Sequence, residues 1–89
     1  MRAIITVTGK DRPGIIAAVC VLLAESDINI LDISQTVMQD FFTMTMLIDL
    51  SQCKKAFSDV SDSLDMKGKE MGLIIRIQRE DIFDKMHRI

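Results

Sequence analysis

Gly9-Lys10-Asp11-Arg12-Pro13-Gly14 divides an alternating, β-like run from an apolar run with helical spacing, and the fold is decided at that division. The hexamer reads as a loop that feeds a helix start. Pro13 suits a first helical turn, because its fixed φ matches the helix and its missing N–H would find no partner there. Asp11 is expected to cap that turn. Its carboxylate would accept the backbone N–H of Gly14, with its charge at the positive end of the helix dipole. Gly14 has no side chain, so a small anionic or zwitterionic ligand can approach unpaired N–H groups of the first turn. The same residues equally serve any strand-to-helix connection that needs a turn, a cap and a breaker, so the hexamer alone names no ligand.

On the N-terminal side of the hexamer, Arg2 to Thr8 is rich in β-branched residues, with Ile5 and Val7 on one face and Thr6 and Thr8 on the other; it reads as a first strand. On the C-terminal side, Ile15, Ile16, Val19, Cys20, Leu22 and Leu23 recur at spacings of three and four, an apolar stripe that must lie against a sheet. Glu25-Ser26-Asp27 ends the stripe without a capping glycine, which leaves the helix end open to within a few residues.

Ile28 to Met38 is long enough for a second strand. Strict alternation places Leu31, Ile33 and Val37 on one face and Ile30, Asp32, Ser34, Thr36 and Met38 on the other. Asn29 stands at its start as a turn residue whose amide offers both a donor and an acceptor. After Gln39-Asp40, the run from Phe41 to Leu50 alternates Met44, Met46, Ile48 and Leu50 with Thr43, Thr45, Leu47 and Asp49, so these two strands should form a hairpin. No Asn-Gly or Asp-Gly pair fixes the turn type. Ser51-Gln52 offers a cap for a second helix with Phe57, Val60, Leu64 and Met71 on one side and a solvated charged face on the other. Gly68 falls on the buried stripe, where it permits close helix-to-sheet approach, and Gly72 is placed just past the helix end. Leu73 to Gln78 is the last strand, and residues 80–89 form a short amphipathic helix with Ile82, Phe83, Met86 and Ile89 at helical spacing. A helix that short needs a docking surface, either the open sheet face or a partner subunit.

The order strand, helix, strand, strand, helix, strand is that of two interlocked split βαβ units. It implies an α+β, ferredoxin-like sandwich with a four-stranded antiparallel sheet in spatial order fourth, first, third, second, and both helices on one face. The second strand is then an edge. Its unpaired backbone groups invite pairing with another copy about a two-fold axis.

Bulk properties narrow the function. With 89 residues the chain is one domain, able to bury roughly two-thirds of its unfolded surface. Apolar residues at 48%, charged residues at 27% and a net charge of −2 describe an ordinary globular composition. The basic residues are scattered and Trp and Tyr are absent, so neither nucleic acid nor an acidic membrane surface is an expected partner. The N-terminus shows no signal-peptide pattern, which gives a cytoplasmic location as the expectation. Cys20 and Cys53 lack metal-ligand spacing and His87 is the sole histidine, so no metal or cofactor is expected. Cys20 reads as a core residue. Cys53, near a helix start, is read as structural too.

The stretch Ile4-Ile5-Thr6-Val7-Thr8-Gly9-Lys10-Asp11-Arg12-Pro13-Gly14-Ile15, followed after the helix by Asp27-Ile28-Asn29-Ile30, resembles the ACT domain, a small regulatory module. The resemblance covers residues 1–79 in register, with 80–89 as an additional helix. It implies a homodimer that binds an amino acid or similar small carboxylate between the loop after the first strand of one copy and the start of the second strand of its neighbour. Carried onto this chain, the loop positions are Asp11, Arg12, Gly14 and Ile15, and the strand positions are Asn29 and Ile30. The chemistry agrees, since helix N–H groups and Arg12 suit a carboxylate while Asn29 and backbone carbonyls suit an ammonium. Without an attached enzyme or DNA-binding domain, the chain is similar to the stand-alone short ACT proteins of bacteria and archaea, which implies action through a partner protein. A ligand-free dimerisation or adaptor module is the alternative. An enzyme using Asp11, Asp27 or Asp32 as acid or base is not expected, because no nucleophile and base pair is evident.

Overall fold

The computed structural model describes residues 1–81. The elements run β1 (Arg2–Lys10), α1 (Ile15–Glu25), β2 (Asn29–Met38), β3 (Phe41–Asp49), α2 (Phe57–Met71) and β4 (Leu73–Arg79). The sheet is antiparallel throughout, in the order β2-β3-β1-β4. This is the expected ferredoxin-like sandwich. Of the expected C-terminal amphipathic helix at 80–89, residues 82–89, His87 among them, lie outside the described residues.

One core forms between the sheet and the two helices. Ile5 and Val7 of β1, Met44, Met46 and Ile48 of β3, and Val19, Leu23, Val60 and Leu64 of the helices are all buried within it. The strand alternation read from sequence therefore selects the helix-facing side on β1, β3 and β4. Gly68 lies on the buried stripe of α2, and a Cβ built there would stand 2.8 Å from the Leu73 carbonyl oxygen. Only glycine lets α2 settle so closely on β4. Gly72 ends that helix in the left-handed region at φ 69°, as its position after the stripe implies.

Both expected side-chain caps are absent. Helix α1 begins one residue after Gly14, which is itself the N-cap at φ 87°, and no side chain caps it. Asp11 and Pro13 thus lie ahead of the helix instead of within its first turn. The backbone N–H of Asp11 donates to the Asp40 carbonyl at 2.7 Å, so Asp11 ties the loop to the β2–β3 turn. Ser51-Gln52 likewise stands too far ahead of α2, whose N-cap is Ala56 with no side-chain hydrogen bond.

The α1 terminus left open by the sequence is closed by a six-residue backbone motif. Ile28 N–H donates to Leu23 O at 3.0 Å and Asp27 N–H to Ala24 O at 3.1 Å, with Asp27 in the left-handed region at φ 56°. Asp27 takes the place usually given to glycine, and buried Ile28 covers Leu23. Asp27→Gly is expected to raise the unfolding free energy by about 1 kcal/mol, read from urea midpoints, because it removes a left-handed strain. The β2–β3 turn is also a two-residue connection with a left-handed residue, Gln39 at φ 58°.

A bulge corrects the expected alternation of β2. Register shifts between Ile30 and Asp32, so Ile30 lies opposite Ile48 and Ile33 opposite Met46, both on the helix side of the sheet. Ile30 therefore joins the face of Ile33 and Val37, and Asn29 lies opposite Asp49 on the other face. Neither helix covers β2, so Leu31, Ile33 and Val37 remain 44%, 40% and 51% exposed.

Candidate functional site

The β1–α1 loop is held at both ends by backbone bonds. Lys10 pairs with Phe41, and Asp11 reaches the Asp40 carbonyl. The left-handed Gly14 then turns the chain into α1, where its own carbonyl accepts the first helical bond from Ala18 at 2.9 Å. With no side-chain cap and no acidic residue in the first turn, the amino end of α1 keeps its leading N–H groups and partial positive charge uncompensated. Arg12 points part of its guanidinium the other way, with Nη1 donating to the Met71 carbonyl at 3.4 Å, where α2 presents its negative end.

Beside this loop lies a cavity of about 330 Å³. Asp11, Arg12, Gly14 and Ile15 line it from the loop, while Gln35 and Val37 line it from β2. Four of the six expected site residues thus share one wall. Gln35 and Val37 were missed by the sequence reading. Their signal was the period-2 pattern of β2, which puts Gln35 and Val37 on the face of Ile33, opposite Met44 and Phe42.

Asn29 and Ile30 are not at this cavity. They open β2, eight and seven positions before Val37, which at about 3.3 Å per residue is roughly 23–26 Å away. Asn29 shares a separate cleft with Asp27, Gln52 and Lys54. Within one chain the two halves of the expected site are therefore apart.

The residues considered for acid and base chemistry do not converge. Asp11 is in the β1–α1 loop, Asp27 closes α1, and the Asp32 carboxylate accepts the N–H of the adjacent Ile33 at 2.9 Å. Asp49, at the end of β3, has its carboxyl held below the usual carboxylate value by the Ser51 backbone N–H, 2.9 Å away, and further by the Ser51 hydroxyl. That arrangement organises the turn after β3. Both cysteines are free and half-buried against the core. Among the described residues, no three His, Cys, Asp or Glu side chains cluster to hold a metal, and no helix is long and apolar enough to cross a membrane.

Comparison with known proteins fits this architecture. A UPF0237 protein of Clostridium acetobutylicum is 58% identical over 89 residues, covering all of both chains. The solved ACT domain protein from Streptococcus pneumoniae superimposes with a TM-score of 0.82 at 42% identity, covering 94% of each chain. The regulatory subunit of aspartate kinase from Thermus thermophilus, solved in a ligand-free form, gives a TM-score of 0.66 at 27% identity over 86% of this chain and 50% of that one. The sequence pattern of the ACT domain matches residues 2–78, and with relatives this similar along the whole chain, the protein belongs to the ACT domain family of regulatory domains.

Proposed function

We propose that the protein is a homodimeric regulatory module that binds an amino acid or similar small carboxylate across its subunit interface and acts on a partner protein. One observation carries the reading: the loop cavity opens onto the unpaired edge of β2, and the remaining expected site residues stand at the opposite end of that same edge. If two copies pair β2 with β2 antiparallel about a two-fold axis, the start of one strand lies beside the end of the other. Ile30 of the partner subunit then stands near Val37, and Asn29 of the partner subunit near the mouth of the cavity. The exposed apolar side chains of Ile33 and Val37 supply the burial that such pairing needs. The ligand carboxylate meets the free N–H groups of α1 and the Arg12 guanidinium, while its ammonium meets the Asn29 amide and backbone carbonyls.

The similar regulatory subunit of aspartate kinase supports a regulatory role, and binding that differs between two conformational states would transmit the signal. A thermal-shift scan against the amino acids and related carboxylates tests the reading. A ligand at a hundredfold excess over its Kd adds about 2.7 kcal/mol, which for a domain of this size is on the order of 10–20 °C in Tm. The expected result is a selective shift that Asn29→Ala removes. No shift with any compound, from a protein that is a dimer in solution, favours the ligand-free adaptor.

A further inference from the structure

The loop cavity has two ends of different chemistry. Asp11, Arg12 and Gly14 form its loop end, which holds both of its charged side chains. The rest of the wall is Ile15, Ile16 and Ala17 of α1, Val37 of β2 and Phe42 of β3, with Gln35 as its one neutral polar side chain. Ile15 and Phe42 belong to the core, at 2% and 3% exposure, whereas Ile16 and Val37 are 36% and 51% exposed. The core thus reaches the surface here, between α1 and the uncovered β2, with a buried apolar floor and exposed apolar sides. Its volume of about 330 Å³ is near the small end of ligand sites, which suits a single amino acid better than a nucleotide or a peptide.

We propose that the amino acid this cavity takes has an aliphatic side chain, in the class of valine, leucine and isoleucine, a specificity that rests on the shared site described under the proposed function. An α-amino acid has three groups to place. With its carboxylate at the α1 N–H groups and Arg12, and its ammonium at the partner subunit's Asn29, the side chain is left with the wall formed by Ile15, Ile16, Val37 and Phe42. An aliphatic group placed there leaves water together with Ile16 and Val37, a gain that grows with the apolar area covered. A charged side chain would give up its water against a wall that has no charge beyond the loop end. A hydroxyl or amide would find Gln35 alone among the wall's neutral side chains.

Calorimetric titration of the full chain with alanine, valine, leucine, isoleucine, serine, aspartate and lysine tests this. At least one of valine, leucine and isoleucine should bind about tenfold or more tighter than alanine, and aspartate and lysine should give no saturable heat. Two substitutions at exposed α1 positions, which leave the buried floor intact, read the wall directly. Ile16→Ser should reduce the preference for the aliphatic ligand over alanine by about tenfold, and Ala17→Leu, which narrows the cavity, should weaken leucine more than alanine. A ratio of two affinities measured on one variant is insensitive to a general loss of stability. Tight binding of serine, aspartate or lysine with weak binding of the aliphatic set would overturn the specificity and leave the shared site standing. A preference for aliphatic ligands unchanged in both variants would put their side chain elsewhere and overturn it too. No binding of any amino acid, by a protein that is folded and dimeric, would overturn the shared site itself and the specificity with it.

Discussion

Gly68→Val is expected to lower the unfolding free energy by about 3 kcal/mol and the Tm by roughly 15 °C or more, measured by thermal denaturation followed in the far ultraviolet. The cause is steric and has no easy relief. A Cβ at this position stands 2.8 Å from the Leu73 carbonyl oxygen and 3.3 Å from Ile75 Cγ1, and the closer of these is backbone that already belongs to β4. Helix α2 must lift from the sheet, opening the core around Val60 and Leu64. Gly68→Ala separates the terms. Alanine favours a helix over glycine by up to about 1 kcal/mol, so a stabilised Gly68→Ala variant would show that the contact is loose, whereas the geometry predicts a net loss of about 1–2 kcal/mol. A domain of this size has about 5–15 kcal/mol in all, so either loss is a large fraction of it.

The second large effect concerns assembly. Replacing both Ile33 and Val37 with lysine is expected to convert the proposed dimer to monomer at micromolar concentration, a weakening of at least about a hundredfold in sedimentation equilibrium. Both side chains stand on the helix side of β2, 40% and 51% exposed, so a single chain loses little packing when they change. Two lysines from each copy would meet across a two-fold edge and repel. Unchanged far-ultraviolet circular dichroism with loss of the dimer is the expected pair of results. A dimer that persists in the double variant would place the interface elsewhere, and the loop cavity would then have to be complete within one chain.

The fold was legible because periodicity, β-branched runs and the two late glycines agreed with one another. Ile5 and Val7, Met44 and Met46, and Val60 and Leu64 were each assigned a face that the structure then buries. Local termini were less legible. Asp11 carries the right chemistry for a cap, but the backbone bond to Asp40 and the left-handed Gly14 fix the loop without it. Asp27 occupies a position where glycine would have announced the helix end, and it does so because Leu23 and Ile28 are buried together on either side of the turn. The bulge at Leu31 left no mark in composition, although it moves Ile30 to the helix side.

The candidate site was legible only as two pieces. The loop residues Asp11, Arg12, Gly14 and Ile15 share a cavity, but the β2 residues that complete its wall within the chain, Gln35 and Val37, depend on the β2–β3 pairing that sets them beside the loop. No single-chain pattern would bring Asn29 to that wall, because the proposed geometry that joins them requires a second copy. Arg12 adds a further point. Its contact with the Met71 carbonyl ties the loop to the end of α2, so a ligand carboxylate that draws the guanidinium away would also release that helix end.

The most direct measurement is calorimetric titration of a mixed dimer. Arg12→Ala and Asn29→Ala, each impaired in binding alone, are unfolded together, refolded together and titrated with each amino acid that shifts the wild-type Tm. If one site uses the loop of one protomer and the strand start of the other, every mixed dimer regains one intact site. Random pairing then restores about a quarter of the wild-type stoichiometry at wild-type affinity. Recovery to that level is the predicted result. No recovery, from a mixture shown to contain mixed dimers, would contradict a site shared across the interface.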